Sequence, residues 1–431
     1  MMAKKQKQMK ADSLPLVAID LGSDSVRAMA AERVGDDLFR VLGVEQSQRH
    51  KCIEHGVIKS TTNVGYMINE VLRLLANRIH IEDLPTAFVT LGGKSMQIAP
   101  VKARRDQLRK KGVSTALLES MKQECKDKIE AKYPTQKVLE LIPSYYVLDD
   151  EEQEDPPTEN QRAALVEAHY FAFVGNKELD IPLKTAFDKA GRSIEHAFVR
   201  PDVLLSVFQC EEAKEDDPYD ILTDGCAVLD MGAQTTTLTV FKGGQYLANK
   251  VVPCGGYHIT RALEVQGMSF STAEKLKIQY GYAAPELVEK NYAFRVPAVD
   301  GSGDMKVLCT EVAEVIAQKL DEILAPVLQE LDKYKDRVER LYITGGASML
   351  RGIDLYLRER TGYDVRYGMH DLLLASNTDE QFFAPTYSAL VGTILMGQDY
   401  RDKHKDLLVK KPGFAEKIGN TIVNLFTDQQ Y

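Results

Sequence analysis

The stretch VAIDLGSDSVRAMAA, Val17 to Ala31, decides the fold, because AVLDMGAQTTTLTVF, Ala227 to Phe241, repeats its plan in the second half of the chain. Each is an apolar run ending in aspartate, Asp20 or Asp230. A glycine follows two residues on, Gly22 or Gly232, then small hydroxyl or amide residues and a renewed apolar alternation. Alternation on both sides of a glycine turn reads as strand, tight turn, strand. One such turn is ordinary hairpin chemistry. Two of one design imply an α/β chain with similar halves and a cleft between them.

The chemistry of these turns suits polyphosphate. A carboxylate at a strand end can hold a hydrated Mg2+, which keeps several waters and takes one or two carboxylates besides the phosphates. That assigns Asp20 and Asp230 to the metal, through water. Gly22 and Gly232 let backbone N–H groups approach phosphate oxygens as an anion nest. Ser23, Asp24 and Ser25 complete the first turn, and Ala233, Gln234, Thr235 and Thr236 the second, with the hydroxyls as added donors. A third element, ITGGAS from Ile343 to Ser348, follows an apolar strand. Alone it would pass for a hairpin turn. Beside the two loops, Gly345, Gly346, Ala347 and Ser348 offer a close backbone approach to the adenosine face of ATP.

At 431 residues the chain exceeds what one core usually supports, so two or more domains are expected. An apolar share of 44% and a charged share of 27% are those of a water-soluble globular protein. A net charge of -9 leaves no broad basic face to displace counterions from nucleic acid, which argues against that partner. Six scattered cysteines without a C-x-x-C pair read as reduced thiols in cytoplasm. Met1 to Ser13 is lysine-rich without an apolar core, so neither a signal peptide nor an anchor is expected, and no apolar run is long enough to span a bilayer.

Between the two turns, Val64, Met67, Ile68, Val71, Leu72 and Leu75 recur at helical spacing over Ser60 to Asn77. A basic cluster (Lys102, Arg104, Arg105, Arg109, Lys110, Lys111), a helix near 113–132 and an acidic run from Asp149 to Asp155 follow, the charge runs reading as solvated faces or loops. LVEAHYFAFVG then returns as a strand. Helices are expected over 271–289 and 311–331. Residues 399–411 read as a polar linker. Beyond Pro412, the residues Phe414, Ile418, Ile422, Leu425 and Phe426 form one apolar stripe of a terminal helix, suited to a membrane interface.

The order DLGSDS, DMGAQTT, ITGGAS resembles the phosphate 1, phosphate 2 and adenosine motifs of the actin, heat-shock chaperone and sugar-kinase superfamily. More narrowly, the chain resembles the bacterial FtsA family of cell division proteins. That likeness rests on GVIKST at Gly56, VTLGGKSM at Val89, ELIPSYYVLDD at Glu140, VPCGGYHIT at Val252, STAEKLKIQYGYA at Ser271 and PTYSALVGTIL at Pro385. It implies two RNase-H-like domains flanking an ATP cleft, with an FtsA-type inserted subdomain and a C-terminal amphipathic helix. The implied division is a tail at 1–15, a first domain from 16–84 and 174–222, and an insertion at 85–173. A second domain follows from 223–270 and 335–398, with its own insertion at 271–334, then the linker 399–411 and the helix 412–431. The resemblance further implies ATP-linked polymerisation, tethering of FtsZ filaments to the inner face of the cytoplasmic membrane at the division site, and contacts with other division proteins. A small-molecule kinase and a pilus-assembly scaffold are the rival readings within the superfamily.

It also brings Gly255, Gly256, Glu274 and Lys277 to the nucleotide. Ser271-Thr-Ala-Glu274 doubles as a capping box, which would give Glu274 a structural task. His50, Cys52 and His55 form H-x-C-x-x-H without an evident fourth ligand, so a surface loop is expected rather than a zinc site. In several superfamily members the segment joining the halves supplies an acid or amide that orients the attacking water. Asp202 is the residue here that could do so, and hydrolysis is expected to be slow at most. The FtsZ-facing surface implied by the family falls in 271–332, where Arg295 and Lys306 are the basic residues that stand out.

Overall fold

The computed structural model describes residues 15–404, apart from 95, 154, 177, 178, 180, 210–218 and 369, and the backbone alone of 108–111. The alternation around Asp20 folds as an antiparallel pair, β1 (Leu16–Leu21) and β2 (Val26–Gly35), with β3 (Leu38–Gln46) beside β2. A small hairpin of β4 (Ile53–Glu54) and β5 (Val57–Ile58) leads to helix α1 (Thr61–Arg78). Ser60 caps this helix by accepting from the Asn63 N–H, and Val64, Ile68, Val71, Leu72 and Leu75 are buried along one stripe. Each such side chain contributes about 1.5–3 kcal/mol on full burial. Strand β6 (Thr86–Leu91) then pairs in parallel with β1.

An inserted unit follows. Its sheet has the order β7-β10-β8-β9, built from β7 (Gln97–Gly112), β8 (Gln136–Leu148), β9 (Glu151–Gln153) and β10 (Arg162–Asn176), and α2 (Thr115–Lys132) lies on it over a core of Ala103, Met121, Cys125, Tyr146 and Val166. The insertion therefore starts later than expected. Thr86–Leu91 belongs to the first sheet because its apolar TAFVTL run is buried as a central parallel strand. The acidic run is partly strand as well: Glu151–Gln153 pairs with β8, while Asp149, at φ 56°, accepts the N–H groups of Ala164 and Leu165. Helix α3 (Ile181–Ala190) and β11 (Ser193–Val199) return to the first half, closing a five-stranded sheet of order β11-β6-β1-β2-β3.

Helix α4 (Arg200–Phe208) and the short α5 (Ile221–Asp224) lead into the second half. There β12 (Cys226–Met231), β13 (Thr236–Lys242) and β14 (Gln245–Val252) repeat the meander of β1 to β3. Helices α6 (Gly256–Glu264) and α7 (Phe270–Tyr280), the hairpin of β15 (Ala293–Pro297) and β16 (Asp304–Leu308), and α8 (Cys309–Leu331) come next. Strand β17 (Arg340–Thr344), α9 (Ile353–Thr361) and β18 (Asp364–Tyr367) complete the order β14-β13-β12-β17-β18, which matches the first sheet strand for strand in direction.

Helix α10 (Ser388–Lys403) crosses back and packs on α4, β1 and β6. Residues 399–403, expected in a linker, extend this helix, because Tyr400 stacks on His196 and Arg401 pairs with Glu195. The helix expected over 271–289 ends at Tyr280. The apolar stripe Phe414, Ile418, Ile422, Leu425 and Phe426 lies outside the described residues. Among the described residues no helix is long and apolar enough to cross a membrane.

Candidate nucleotide cleft

The two aspartates are the last residues but one of equivalent strands. Asp20 stands opposite Thr90 of β6 and Asp230 opposite Thr344 of β17, each across a parallel pair. The turns also close alike: the Gly22 N–H donates to the Ser25 carbonyl at 3.1 Å, and the Gly232 N–H to the Thr235 carbonyl at 2.8 Å. Between them lies a cavity of about 410 Å³, a size proper to a small-molecule site.

Most of the expected ligands line it. The first turn gives Asp20, Gly22, Ser23, Asp24 and Ser25, and the second gives Asp230, Gly232, Ala233, Gln234 and Thr235. Gly256, Glu274 and Lys277 come from α6 and α7, and Gly345, Gly346 and Ala347 from the turn after β17. That third turn is no hairpin, since β17 and β18 run parallel. Four residues stand off. Thr236 is fully buried, its hydroxyl donating to the Cys254 carbonyl at 2.8 Å. Ser348 is buried and turns its hydroxyl back on the Gly345 carbonyl at 2.7 Å. Gly255 lies behind the second turn, where a side chain would strike the Gly232 and Ala233 carbonyls. Asp202 accepts the Tyr246 hydroxyl at 2.6 Å, away from the cleft, and burial raises its carboxyl above the usual range. This corrects the reading of Asp202 as the water-orienting group: two residues earlier in α4, Arg200 takes the cleft-facing position.

Arg200 is the residue that sequence reading passed over. Its Nε lies 2.5 Å from Asp230 Oδ2 and its Nη1 2.8 Å from Asp20 Oδ1, so one side chain joins the two strand ends. Burial works against its charge, but the Asp230 and Asp20 carboxylates outweigh that and hold the guanidinium above its ordinary pKa. Asp20 and Asp230, expected to hold Mg2+ through water, thus hold a guanidinium. As arranged, a hydrated Mg2+, which takes one or two carboxylates, would have to share them with Arg200: the guanidinium takes one oxygen of each, Asp230 Oδ2 and Asp20 Oδ1, and Asp230 Oδ1 is buried without a hydrogen-bond partner.

A second network joins the halves through α7. Ser269 caps that helix, accepting from the Thr272 N–H at 3.2 Å, which places Ser271 inside the first turn and corrects the expected Ser271–Glu274 capping box. Glu274 is thereby released to the cleft. It accepts from Arg49 at 2.6 Å, from Lys277 at 2.8 Å and from the buried Thr260 hydroxyl. Burial opposes its charge, yet Lys277 and the other donors hold its carboxyl below the ordinary value, while burial depresses Lys277. Arg49 also reaches Asp24 at 3.1 Å. Four carboxylates (Asp20, Asp24, Asp230, Glu274) and four cations (Arg27, Arg49, Arg200, Lys277) line the cleft, so its formal side-chain charge is zero.

The side chains of H-x-C-x-x-H disperse. His50 Nδ1 accepts from the Cys52 N–H, Cys52 Sγ from Asn63, and His55 meets Gln234 of the second turn through its N–H at 3.0 Å and its ring at 2.9 Å. Among the described residues no three His, Cys, Asp or Glu side chains cluster to hold a metal.

Paired sheets of one topology around such a cleft define the actin-like class. The chain matches the PilM-PilN type IV pilus biogenesis complex at a TM-score of 0.64 and 17% identity, covering 89% of this chain and 98% of that one. It matches MreB 5 of Spiroplasma citri bound to AMPPNP at 0.52 and 14%, covering 91% and 99%. Within that class the chain is similar to the cell division protein FtsA, whose family model matches residues 227–392. The FtsA of Enterococcus faecalis is 25% identical over 78% of this chain and 74% of its own length. The FtsA of Escherichia coli is 23% identical over 89% and 90%. The resemblance carried by the sequence motifs thus extends over most of the chain.

Proposed function

We propose that the chain is an ATP-binding, actin-like cell division protein that polymerises and tethers FtsZ filaments to the inner face of the cytoplasmic membrane. The observation that carries this reading is the pair of matched turns at Asp20 and Asp230, set face to face across one cavity and joined by Arg200. Nucleotide in that cleft touches both halves at once and so favours one relative setting of them, which suits a switch for assembly better than a site of turnover. The stripe from Phe414 to Phe426 supplies the lipid contact. One helix of this kind binds weakly, and a filament presenting many gains avidity through effective concentration. Arg295 and Lys306, paired in register and exposed on the β15–β16 hairpin, are the basic positions offered to FtsZ.

Co-sedimentation with anionic vesicles, with and without ATP, tests the reading. The full chain pellets with vesicles and ATP increases the bound fraction, while a chain ending at residue 411 stays in the supernatant. Retained vesicle binding by the shortened chain overturns the anchor, and a bound fraction unchanged by ATP overturns the switch.

A further inference from the structure

We propose that Arg200 is a built-in counter-ion that stands in for the metal, so that this cleft binds nucleotide with little dependence on Mg2+. The proposal rests on the reading of the cleft as a nucleotide site.

A polyphosphate entering between two aspartate-tipped strands meets like charge, and a divalent ion is the usual remedy. Here the remedy is part of the chain. The guanidinium is a planar, permanently charged fork, suited to gripping two carboxylates and a phosphate together, with five donors available. Only Nε and Nη1 engage Asp230 and Asp20.

The placement is built into the fold. Arg200 is the first residue of α4, fixed there by Pro201 in the first turn. Its stem runs beside Gly92 in the turn after β6, where a Cβ would lie 3.2 Å from Arg200 Cδ. The cleft already balances four carboxylates with four cations. A divalent ion between Asp20 and Asp230 would have to expel the guanidinium or sit against it, and like charges at that range repel.

Binding of a fluorescent ATP analogue to the full chain, measured in excess Mg2+ and again in EDTA, tests this. In the wild type the two dissociation constants differ by less than about threefold. Arg200→Gln keeps a planar polar end on a shorter stem without the charge; it loses affinity more than about tenfold in EDTA and regains most of it in Mg2+. Arg200→Lys, which keeps charge without the fork, falls between. A circular-dichroism melt shows that each variant is folded. Wild-type binding that collapses in EDTA, or an Arg200→Gln chain indifferent to EDTA, overturns the counter-ion role while leaving the nucleotide cleft intact. A folded wild-type chain that binds no nucleotide in either buffer overturns the cleft reading and this proposal with it.

Discussion

Replacing Gly345 by alanine tests how closely the turn after β17 is fitted to the strand that carries Asp230. Gly345 has φ 86° and ψ 169°, a region that only glycine enters freely, and an L-residue held there costs about 1–3 kcal/mol. A Cβ would also lie 2.5 Å from Asp230 Oδ1, 2.6 Å from the Met231 carbonyl oxygen and 2.9 Å from its carbon. Two of these are backbone atoms of β12 and cannot swing aside, so the strand end must shift, which adds about 1–3 kcal/mol of overpacking. The expected loss is about 2–6 kcal/mol. Gly362 supplies the control: it has φ 72° and ψ 6° with only the mobile tip of Lys335 nearby, at 3.9 Å. Alanine there costs about 1 kcal/mol, from the left-handed backbone alone. Urea unfolding followed by far-UV circular dichroism, with midpoints compared at equal slope, measures both. Equal losses in the two variants, or a loss below 1 kcal/mol for Gly345→Ala, would refute the collision argument.

Three further outcomes are expected. Glu274→Gln leaves the mostly buried Lys277 without its carboxylate and loosens Arg49; stability falls by about 2 kcal/mol, and adding Lys277→Met restores part of it, as a double-mutant cycle in thermal melts would show. His196, stacked on Tyr400 and tilted against Phe198, is pushed down to about 4, by burial first and by His404 and Lys122 next. Its neutral form is the folded one, so stability is full above the unfolded pKa near 6.5 and drains as pH falls toward 4. Between pH 7 and 5 that amounts to about 1–2 kcal/mol, and His196→Phe flattens the slope of unfolding free energy against pH. Gly255→Ala drives α6 away from the Gly232 carbonyl; nucleotide affinity drops at least tenfold in equilibrium binding, and an unchanged affinity means that α6 does not support the second turn.

The duplicated frame was legible because it is local. Apolar alternation and a D-x-G turn specify strand, turn, strand without help from elsewhere, and Asp20 and Asp230 are the last residues but one of β1 and β12. Helix α1 was legible for the same reason, with Ser60 and the stripe from Val64 to Leu75 both close in sequence. What escaped depends on partners far away. TAFVTL reads as a strand, but that it lies between β1 and β11 is decided across the fold. Ser271 with Glu274 has the sequence of a capping box, yet the extended backbone at Ser269 makes that earlier residue the cap. Arg200 and Asp202 sit in one short helix, and nothing local says that the arginine faces the cleft while the aspartate turns to Tyr246.

The return of α10 to the first half has a mechanical meaning. Helix α10 and the cleft are neighbours through packing: α10 lies along α4, and α4 begins with the guanidinium that joins the two strand ends. Gly397 of α10 sits where a Cβ would strike the Phe88 ring, so helix and sheet are in close contact with little room to slide. A pull applied beyond residue 404 therefore loads α10 in shear against the first sheet and against α4, on which it packs. Tension on α10 and the bridge across the cleft bear on the same short helix.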